Sequence, residues 1–585
     1  VSKHFPASAP KRWHIAPPAP PEVTERLRAY HPVMAQVLYN RGQETSEKAR
    51  IFLEGSEAAL HNPFTMHDMS AAVARIRHAI KRGELIVVYG DFDADGVTST
   101  ALLTQTLEVL GARVQPYIPH RIEEGYGLNV EALRKLHEAG VRLVITVDCG
   151  IRSVEEVAYG RTLGLDVIVT DHHSVGDELP PARAVVNPKV DARLALEEGR
   201  RGYPEDMLAG VGVAYKLAEA LFRAETQQSR YHPNLELADL LDLVALGTVA
   251  DLAPLNRLEN RELVRRGLRV LNRAQRPGIY ELMQVAHVEP GKINTTSIGF
   301  TLGPRINAAG RLASAMIAYR LLRASMPEAG QLAQQLHVLN IDRQEKTLHA
   351  VEQARAEVRA RDGDAPLIFA VGGDFQAGIV GLVAGRLCEE FYLPVVVLEQ
   401  SEETSRGSCR SIPEFNITRA LDRCADLLTR HGGHAQAAGF TVPNENVPAL
   451  RTRLLTLAKQ ALEGEDLRPT LHVDAEVPFD ELTMALAREL RRLEPTGAGN
   501  PPPLLLTREV RVLGFRRVGR DKRHLRLKLS GAGATIDAIA FNLGHWAEQM
   551  PSYIDVVHRL EVNEWNGHPR LQMNVQDLRL AEHGE

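Results

Sequence analysis

The stretch LIVVYGDFDADG (85–96) decides the fold of this chain. Its first half is a short, unbroken apolar run rich in β-branched residues, the reading of a strand buried on both faces. Three aspartates follow at once, and residues 97–110 read as a helix that stops at Gly111. Working outward, the same alternation recurs. Helical residues 70–82 end at Gly83, and VQPYIP (114–119) follows the first helix. Helix 130–139 stops at Gly140 before LVITVD (143–148), and helix 153–163 stops at Gly164 before DVIVTD (166–171). AVVN (184–187) is a further short strand. Strands alternating with helices of this length predict a mainly parallel sheet, hence an α/β fold.

Residues 1 to about 22 are Pro-rich and read as a loose arm, followed to about Leu60 by helical spacing (Leu27, Met34, Val37, Leu38, then Ala49, Ile51, Phe52, Leu53). Residues 209–271 read as helices. The Pro-free, highly charged run 328–362 reads as one long, solvent-bridging helix. A second α/β unit comprises PLIFAV (366–371), a Gly-punctuated helix at 378–391 and PVVVLE (394–399), continuing to about Gly464. The polar run QSEETSRGS (400–408) reads as a loop. From about Leu471 short strands dominate, which predicts a small barrel with the OB-fold as leading candidate.

The 585 residues suffice for about four structural units. The formal net charge of −5 excludes a globally basic nucleic-acid binder, so any such site is a local patch. Four scattered cysteines with no C-x-x-C pair argue against a disulfide framework or a zinc ribbon and for a reducing compartment. The polar N-terminus lacks the apolar segment of a secretory signal, and no apolar run is long enough to span a bilayer. The expected location is the bacterial cytoplasm.

Asp91, Asp93 and Asp95 lie between a buried strand and a helix, where open parallel sheets bind ligands. Three carboxylates in five residues repel one another unless a cation neutralises them. An EF-hand shares the D-x-D-x-D-G opening, but its twelfth position would be Leu102 rather than Glu, and a strand precedes it. Asp148 ends LVITVD, Asp171-His172-His173 end DVIVTD, and Asp251 interrupts the apolar helix end ALGTVADLAPL (245–255). Neighbouring strands place these groups on one rim. Oxygen and imidazole donors without cysteine favour manganese or magnesium over zinc, with donors enough for two ions. Such a pair suits phosphoryl transfer by two-metal water activation.

GDFDADG (90–96), TVDCG (146–150), TDHH (170–173) and GTVAD (247–251) resemble, in order, the four motifs of the DHH phosphoesterase superfamily. LGPRINAAGR (302–311) and GGHAQAAGF (432–440) narrow the resemblance to its RecJ-type, single-strand-specific exonuclease branch. The resemblance covers nearly the whole chain. It implies an N-terminal arm with helices (1–68), a DHH domain (69–325), a connecting long helix (326–363), a DHH-associated domain (364–465) facing the DHH domain across a groove, and an OB-fold single-strand-binding domain (466–585). It also implies a metal-dependent 5′→3′ exonuclease that releases 5′ mononucleotides from single-stranded DNA in recombination and repair. Asp93, Asp95, Asp148, His172 and Asp251 become metal ligands, and Asp91, His173 and Arg305 catalytic residues. A RecQ-type helicase and single-strand-binding protein are the implied partners. The alternatives are another DHH phosphoesterase, such as a short-oligonucleotide nuclease, or a non-catalytic DNA-binding scaffold.

Some positions depart from the wider pattern. Tyr89 stands where many DHH proteins carry a His ligand, which leaves one metal a ligand short. Cys149 replaces the usual Asn and would put an oxidisable thiol beside the site. Phe375-Gln376, in DFQAGIVG (374–381), replace Trp-His.

Holding a single strand takes a cationic track and stacking surfaces. Arg305, Asn307 and Arg311 in the first narrowing motif suit phosphates, and Arg121 and Tyr126 in HRIEEGYGL (120–128) are candidates for lining the strand path. Ser408 and Arg410 in GSCRSI, with Gly433 and His434 in GGH, are implied by the resemblance to take the 5′ phosphate. In the barrel region, REVRVLGFRRVGRDKRHLRLK (508–528) carries nine Lys/Arg against two acidic residues. Phe515, Arg516, Arg517, Arg520, Lys522 and Arg523 are its candidate contacts.

Overall fold

The structure, a computed structural model, describes residues 11–228, 235–360, 365–372, 375–565 and 568–582. The start of the expected arm and Asp374 of the departing DFQAGIVG segment lie outside them. The chain divides into two compact units: Gly55–Lys346 with Pro495–Asn500, and Val1–Glu54, Thr347–Glu494 and Pro501–Glu585.

The first unit is built on five parallel strands in the order Arg113–Tyr117, Leu85–Gly90, Val141–Val147, Asp166–Thr170, Ala184–Val186. Successive side chains of a strand point to opposite faces. Ile86, Val88, Ile145 and Ile168 join one core with helices Met69–Arg82, Ala94–Val109 and Gly210–Gln228. Val87, Tyr89, Val144, Val167 and Val169 join a second core with helices Val130–Glu138 and Val154–Thr162. Both faces are therefore covered, which is why the strands read as unbroken apolar runs.

Register then positions the chemistry. Gly90 pairs with Val147, and Val147 with Thr170. Asp91, Asp148 and Asp171 thus leave three adjacent strands at one level. Leu85–Gly90 has the next strand in sequence on one side and Val141–Val147 on the other, so the rim lies at the switch point of the sheet.

The long helix runs Glu328–Ala360. Its opening is not solvent-bridging as the charge pattern predicts. Ala329, Leu332, Ala333 and Leu336 form an i, i+3, i+4, i+7 stripe buried in the core of the first unit.

In the second unit, one sheet has the order Arg430–His434, Ala437–Pro443, Thr404–Arg410, Val395–Gln400, Ile368–Gly372, and only the last pair is parallel. Most of the run 400–408 is therefore strand, not loop. Ser405, Gly407 and Cys409 alternate inward, and these small residues concealed the two-residue period. At the C-terminus, Leu505–Val518, His524–Gly531, Ala534–Ala540, His568–Leu580 and Tyr553–Trp565 close on themselves through pairing of the first with the last. This is a closed five-stranded barrel of OB type.

The expectation of a loose arm fails from residue 12 onward. Arg12–Ile15 pairs in parallel with Thr470–Val473, and Trp13 Nε1 donates to Asp577 Oδ2 at 2.8 Å. The flanking prolines masked a four-residue strand that finds a partner more than 450 positions away. Helices Pro32–Asn40 and Ser46–Glu54 place Val33, Met34, Leu38 and Phe52 in one core with Leu505, Leu525 and Leu527 of the barrel.

Candidate functional site

Asp93 is the N-cap of helix Ala94–Val109, and its Oδ1 accepts the N–H groups of Asp95 and Gly96 at 3.0 Å each. Asp95 is buried in the first turn of that helix. Its two oxygens accept the N–H groups of Gly210 (2.7 Å) and Val211 (2.8 Å), the first residues of the helix Gly210–Gln228. Only glycine fits at 210, because a Cβ there would lie 2.7 Å from the Asp148 side chain. Asp148 adopts a left-handed backbone, φ 61°, that turns it back over the rim. Asp251 caps the C-terminus of the apolar helix Leu241–Ala250.

His172 Nε2 lies 3.1 Å from Asp148 Oδ1, 3.7 Å from Asp251 Oδ2 and 3.9 Å from Asp95 Oδ2. His173 Nδ1 is 2.7 Å from Asp171 Oδ1 and 3.9 Å from Asp148 Oδ1. Three groupings bring one donor atom per residue within 4.8 Å of one another: Asp148/His172/His173, Asp95/His172/Asp251 and Asp91/Asp93/Asp148. The rim thus gathers all seven residues to which the sequence assigned metal or catalytic work at the strand and helix ends.

Burial, then its neighbour Asp93, pushes Asp91 up to about 8 and Asp251 up to about 7. Burial and the surrounding carboxylates push Asp95 and Asp148 well above the ordinary carboxylate range. Burial and the charge of His173 lower His172 to about 3. Asp91 Oδ1, Asp148 Oδ1 and His172 Nε2 are buried and make no hydrogen bond. Inward-facing donors of this kind, unsatisfied by protein and mutually repelling, are the complement of a hard divalent cation. The donor set therefore fits manganese or magnesium.

Asp171 was seen in the sequence but given no role. Its carboxylate accepts the N–H groups of Ile151 (2.9 Å), His172 (2.7 Å) and His173 (3.0 Å). Burial alone would raise it, but these bonds and His173 hold it at about 2. Burial opposes charge on His173 too, yet the bond to Asp171 carries its imidazole up to about 9. A carboxylate directly before two histidines was the available signal. Gly210 and Val211 had none, since they read only as a helix start.

Tyr89 supplies no donor to the rim. Its hydroxyl donates to Gly127 O at 3.0 Å and its ring stacks on Tyr117 at 5.0 Å, in the core on the other face of the sheet. Cys149 is not the oxidisable group expected. It is fully buried, its Sγ lies 3.8 Å from Tyr89 O, and burial pushes the thiol well above its ordinary range.

Arg121 stacks 3.8 Å over the Phe92 ring, and Tyr126 places its hydroxyl 3.4 Å from His173 Nδ1. Asn307 Oδ1 accepts the Ala94 N–H at 2.7 Å, tying helix Gly303–Leu312 to the acidic loop. Arg305 donates to Thr301 O at 2.7 Å and has Nη2 3.3 Å from His337 Nδ1. Arg311 lies on the last turn of the same helix.

In the second unit, Ser408 and Arg410 sit two apart on one strand face. A Cβ built on Gly381, in the first turn of helix Val380–Phe391, would lie 3.1 Å from Ser408 Oγ and 3.5 Å from Arg410 Nη2. Gly433 and His434 end the strand Arg430–His434, which is separated from that of Ser408 and Arg410 by its hairpin partner Ala437–Pro443. Phe375 is buried against Gly372. On the barrel hairpin, Arg516 faces Arg526 across the strands and Phe515 is 44% exposed. Arg517 is bound to Gly544 O (2.9 Å) and Glu548 (2.7 Å), and Arg523 lies 3.4 Å from Asp521. Arg520 and Lys522 form no ion pair among the described residues.

Three family models match the chain: the DHH family N-terminal domain over residues 85–248, the DHHA1 domain over 364–463 and the RecJ OB domain over 473–577. The single-stranded-DNA-specific exonuclease RecJ of Bacillus subtilis is 39% identical over 579 residues, covering 98% of this chain and 71% of that protein. The crystal structure of RecJ from Thermus thermophilus in complex with Mn2+ superposes with a TM-score of 0.83 at 32% identity, covering 98% of this chain and 80% of the other. The Mg2+ complex from the same organism gives 0.76 at 30% identity, covering 98% and 79%.

Proposed function

The chain belongs to the RecJ family of DHH exonucleases, and from that membership we propose that it is a metal-dependent exonuclease hydrolysing single-stranded DNA from the 5′ end to 5′ mononucleotides. The observation that carries the reading is the convergence of Asp91, Asp93, Asp95, Asp148, His172, His173 and Asp251 on one buried rim.

Asp93, Asp95, Asp148, His172 and Asp251 would hold two divalent ions, manganese or magnesium, with Asp91 supporting the same loop. When bound, such ions activate the attacking water and neutralise charge on the phosphoryl oxygens. The chain's own groups do the rest. Asp171 fixes Nδ1 of His173 and keeps the imidazole cationic, which leaves Nε2 to donate to the scissile phosphate. Arg121, Arg305, Asn307 and Arg311 line the path of the strand, with Tyr126 beside His173. Ser408 and Arg410, at the first turn of a helix, and Gly433 and His434 take the 5′ phosphate, since a helix N-terminus favours an anion. Phe515, Arg516, Arg520 and Lys522 offer the barrel's strand-binding surface, with smaller parts for Arg517 and Arg523.

No helix among the described residues is long and apolar enough to cross a membrane. A bacterial cytoplasmic location, work in recombination and repair, and partnership with a RecQ-type helicase and single-strand-binding protein complete the proposal. The test is digestion of 5′-labelled and 3′-labelled single strands with and without manganese. Labelled mononucleotide released first from the 5′ end, only with metal, is the expected result. Release from the 3′ end, or turnover confined to dinucleotides, would replace this reading with another phosphoesterase activity.

A further inference from the structure

The helical run that steadies the acidic loop passes through a π-helical turn, Ile298–Leu302, just after its start at Thr295. Ile298 and Leu302 are buried, whereas Phe300 between them is 83% exposed. Single exposed apolar residues are ordinary, and what distinguishes this one is where it is anchored. Its helical run continues without a break into Gly303–Leu312 and meets the site at three points. A Cβ on Gly303 would lie 3.4 Å from Ala250, the residue before Asp251. Asn307 accepts the first N–H of the helix that Asp93 caps. At Gly310 a Cβ would lie 2.2 Å from Phe92 O, between Asp91 and Asp93. Phe300 is three residues before Gly303, so its turn lies beside the helix end that carries Asp251.

Two further features mark what the ring meets. Arg305 and His337, 3.3 Å apart, supply nitrogen donors beside this turn, suited to a phosphodiester backbone. Leu252, directly after Asp251, is 71% exposed and holds a left-handed backbone, φ 60°. Exposed apolar side chains thus stand directly after Asp251 and on the turn packed beside its helix end, with the Arg305 guanidinium alongside. A ring offered to water beside phosphate-binding groups is the arrangement that stacks unpaired bases without reading sequence.

We propose that Phe300, with Leu252 as a second apolar edge, stacks an unpaired nucleobase of the strand close to the scissile phosphate and so contributes to single-strand preference. The inference rests on the proposed exonuclease function. A paired base in a duplex offers no free face to such a ring.

The test uses the manganese-loaded full chain and a phosphorothioate single strand carrying 2-aminopurine at successive positions from the 5′ end. Wild type should quench the probe at one position, Phe300→Ala should lose that quench, and Phe300→Trp should retain it. On an unmodified strand, Phe300→Ala should raise KM about 10-fold with kcat changing less than about two-fold. Unaltered quenching and KM in a folded Phe300→Ala protein would overturn the assignment while wild-type digestion still upheld the exonuclease reading. Failure of wild type to digest single strands would remove both.

Discussion

At the carboxyl edge of the parallel sheet, five carboxylates and two imidazoles crowd a buried rim, fixed by backbone register and by N–H groups of neighbouring helices. On the barrel hairpin, nine cations stand along two strands and the exposed connection between them, and several are already tied up. Arg508 pairs with Glu476 and Asp555, Arg517 with Glu548, and Arg526 lies 3.7 Å from Asp537. Arg511, Arg516, Arg520, Lys522 and Lys528 form no ion pair among the described residues. The difference teaches that density of charge in a sequence means different things in the two places. Buried like charges demand a counter-ion and fix its position. Exposed ones are solvated or paired, and only the remainder is free for a polyanion.

Four experiments bear on that contrast. Asp148→Ala removes a donor common to two of the three groupings, and turnover should fall by about 10²- to 10³-fold, the range for loss of a main electrostatic contributor. Manganese titration calorimetry on the same protein should show weakened uptake. Near-normal rates would mean that the rim is not the reaction centre.

Asp171→Asn should lower kcat by about 10- to 100-fold, as for other groups that orient a site from behind. It also has a pH signature. His173 stays protonated up to about 9 because of Asp171. Without that carboxylate the alkaline limb of the rate profile should move down toward the ordinary imidazole range near 6.5. An unmoved limb would show that the pair is only structural.

The barrel's own buried titratable group behaves in the opposite sense. His558 is fully buried, its Nε2 is 3.0 Å from Thr507 Oγ1, and burial lowers it to about 4. Its folded pKa lies below the unfolded value near 6.5, so the unfolded chain takes up the proton first. The stability contribution is complete above about 6.5 and is lost as pH falls through 4, a change on the order of 3 kcal/mol. All three tryptophans (13, 546 and 565) lie in this unit, so their fluorescence reports its unfolding. The advantage of wild type over His558→Gln in urea should shrink steadily between pH 7 and pH 4.

The smallest effects belong to the exposed hairpin. Arg516→Ala should reduce the slope of log affinity against log salt by about 1 for a single strand. Arg517→Ala, whose guanidinium is already spoken for, should leave that slope unchanged. Equal losses from both would mean that the Glu548 pair opens on binding.

The unbroken apolar runs and the glycines ending each helix made the parallel sheet legible, because local periodicity and breaker residues set those elements. The same strand ends, with the apolar helix end before Asp251, made the seven rim residues legible, since a carboxylate straight after a buried apolar run has few other places to go. Other features had no local signal. Asp171 as the holder of His173, and Gly210 and Val211 as donors to Asp95, arise where segments distant in sequence meet. The run 400–408 was misread because small polar residues alternate weakly, and residues 12–15 because prolines flank them.

By itself, then, the order of residues determined the α/β class, the acidic rim and the presence of a terminal barrel, since periodicity, chain breakers and charge density act over a few positions. Tertiary structure alone decided that Tyr89 faces away from the rim, that Cys149 is shielded, that the N-terminal helices complete the barrel's core, and which hairpin arginines remain free. Those outcomes depend on which surfaces meet and how much water they exclude. Burial and pairing are properties of the assembled neighbourhood, not of any one segment.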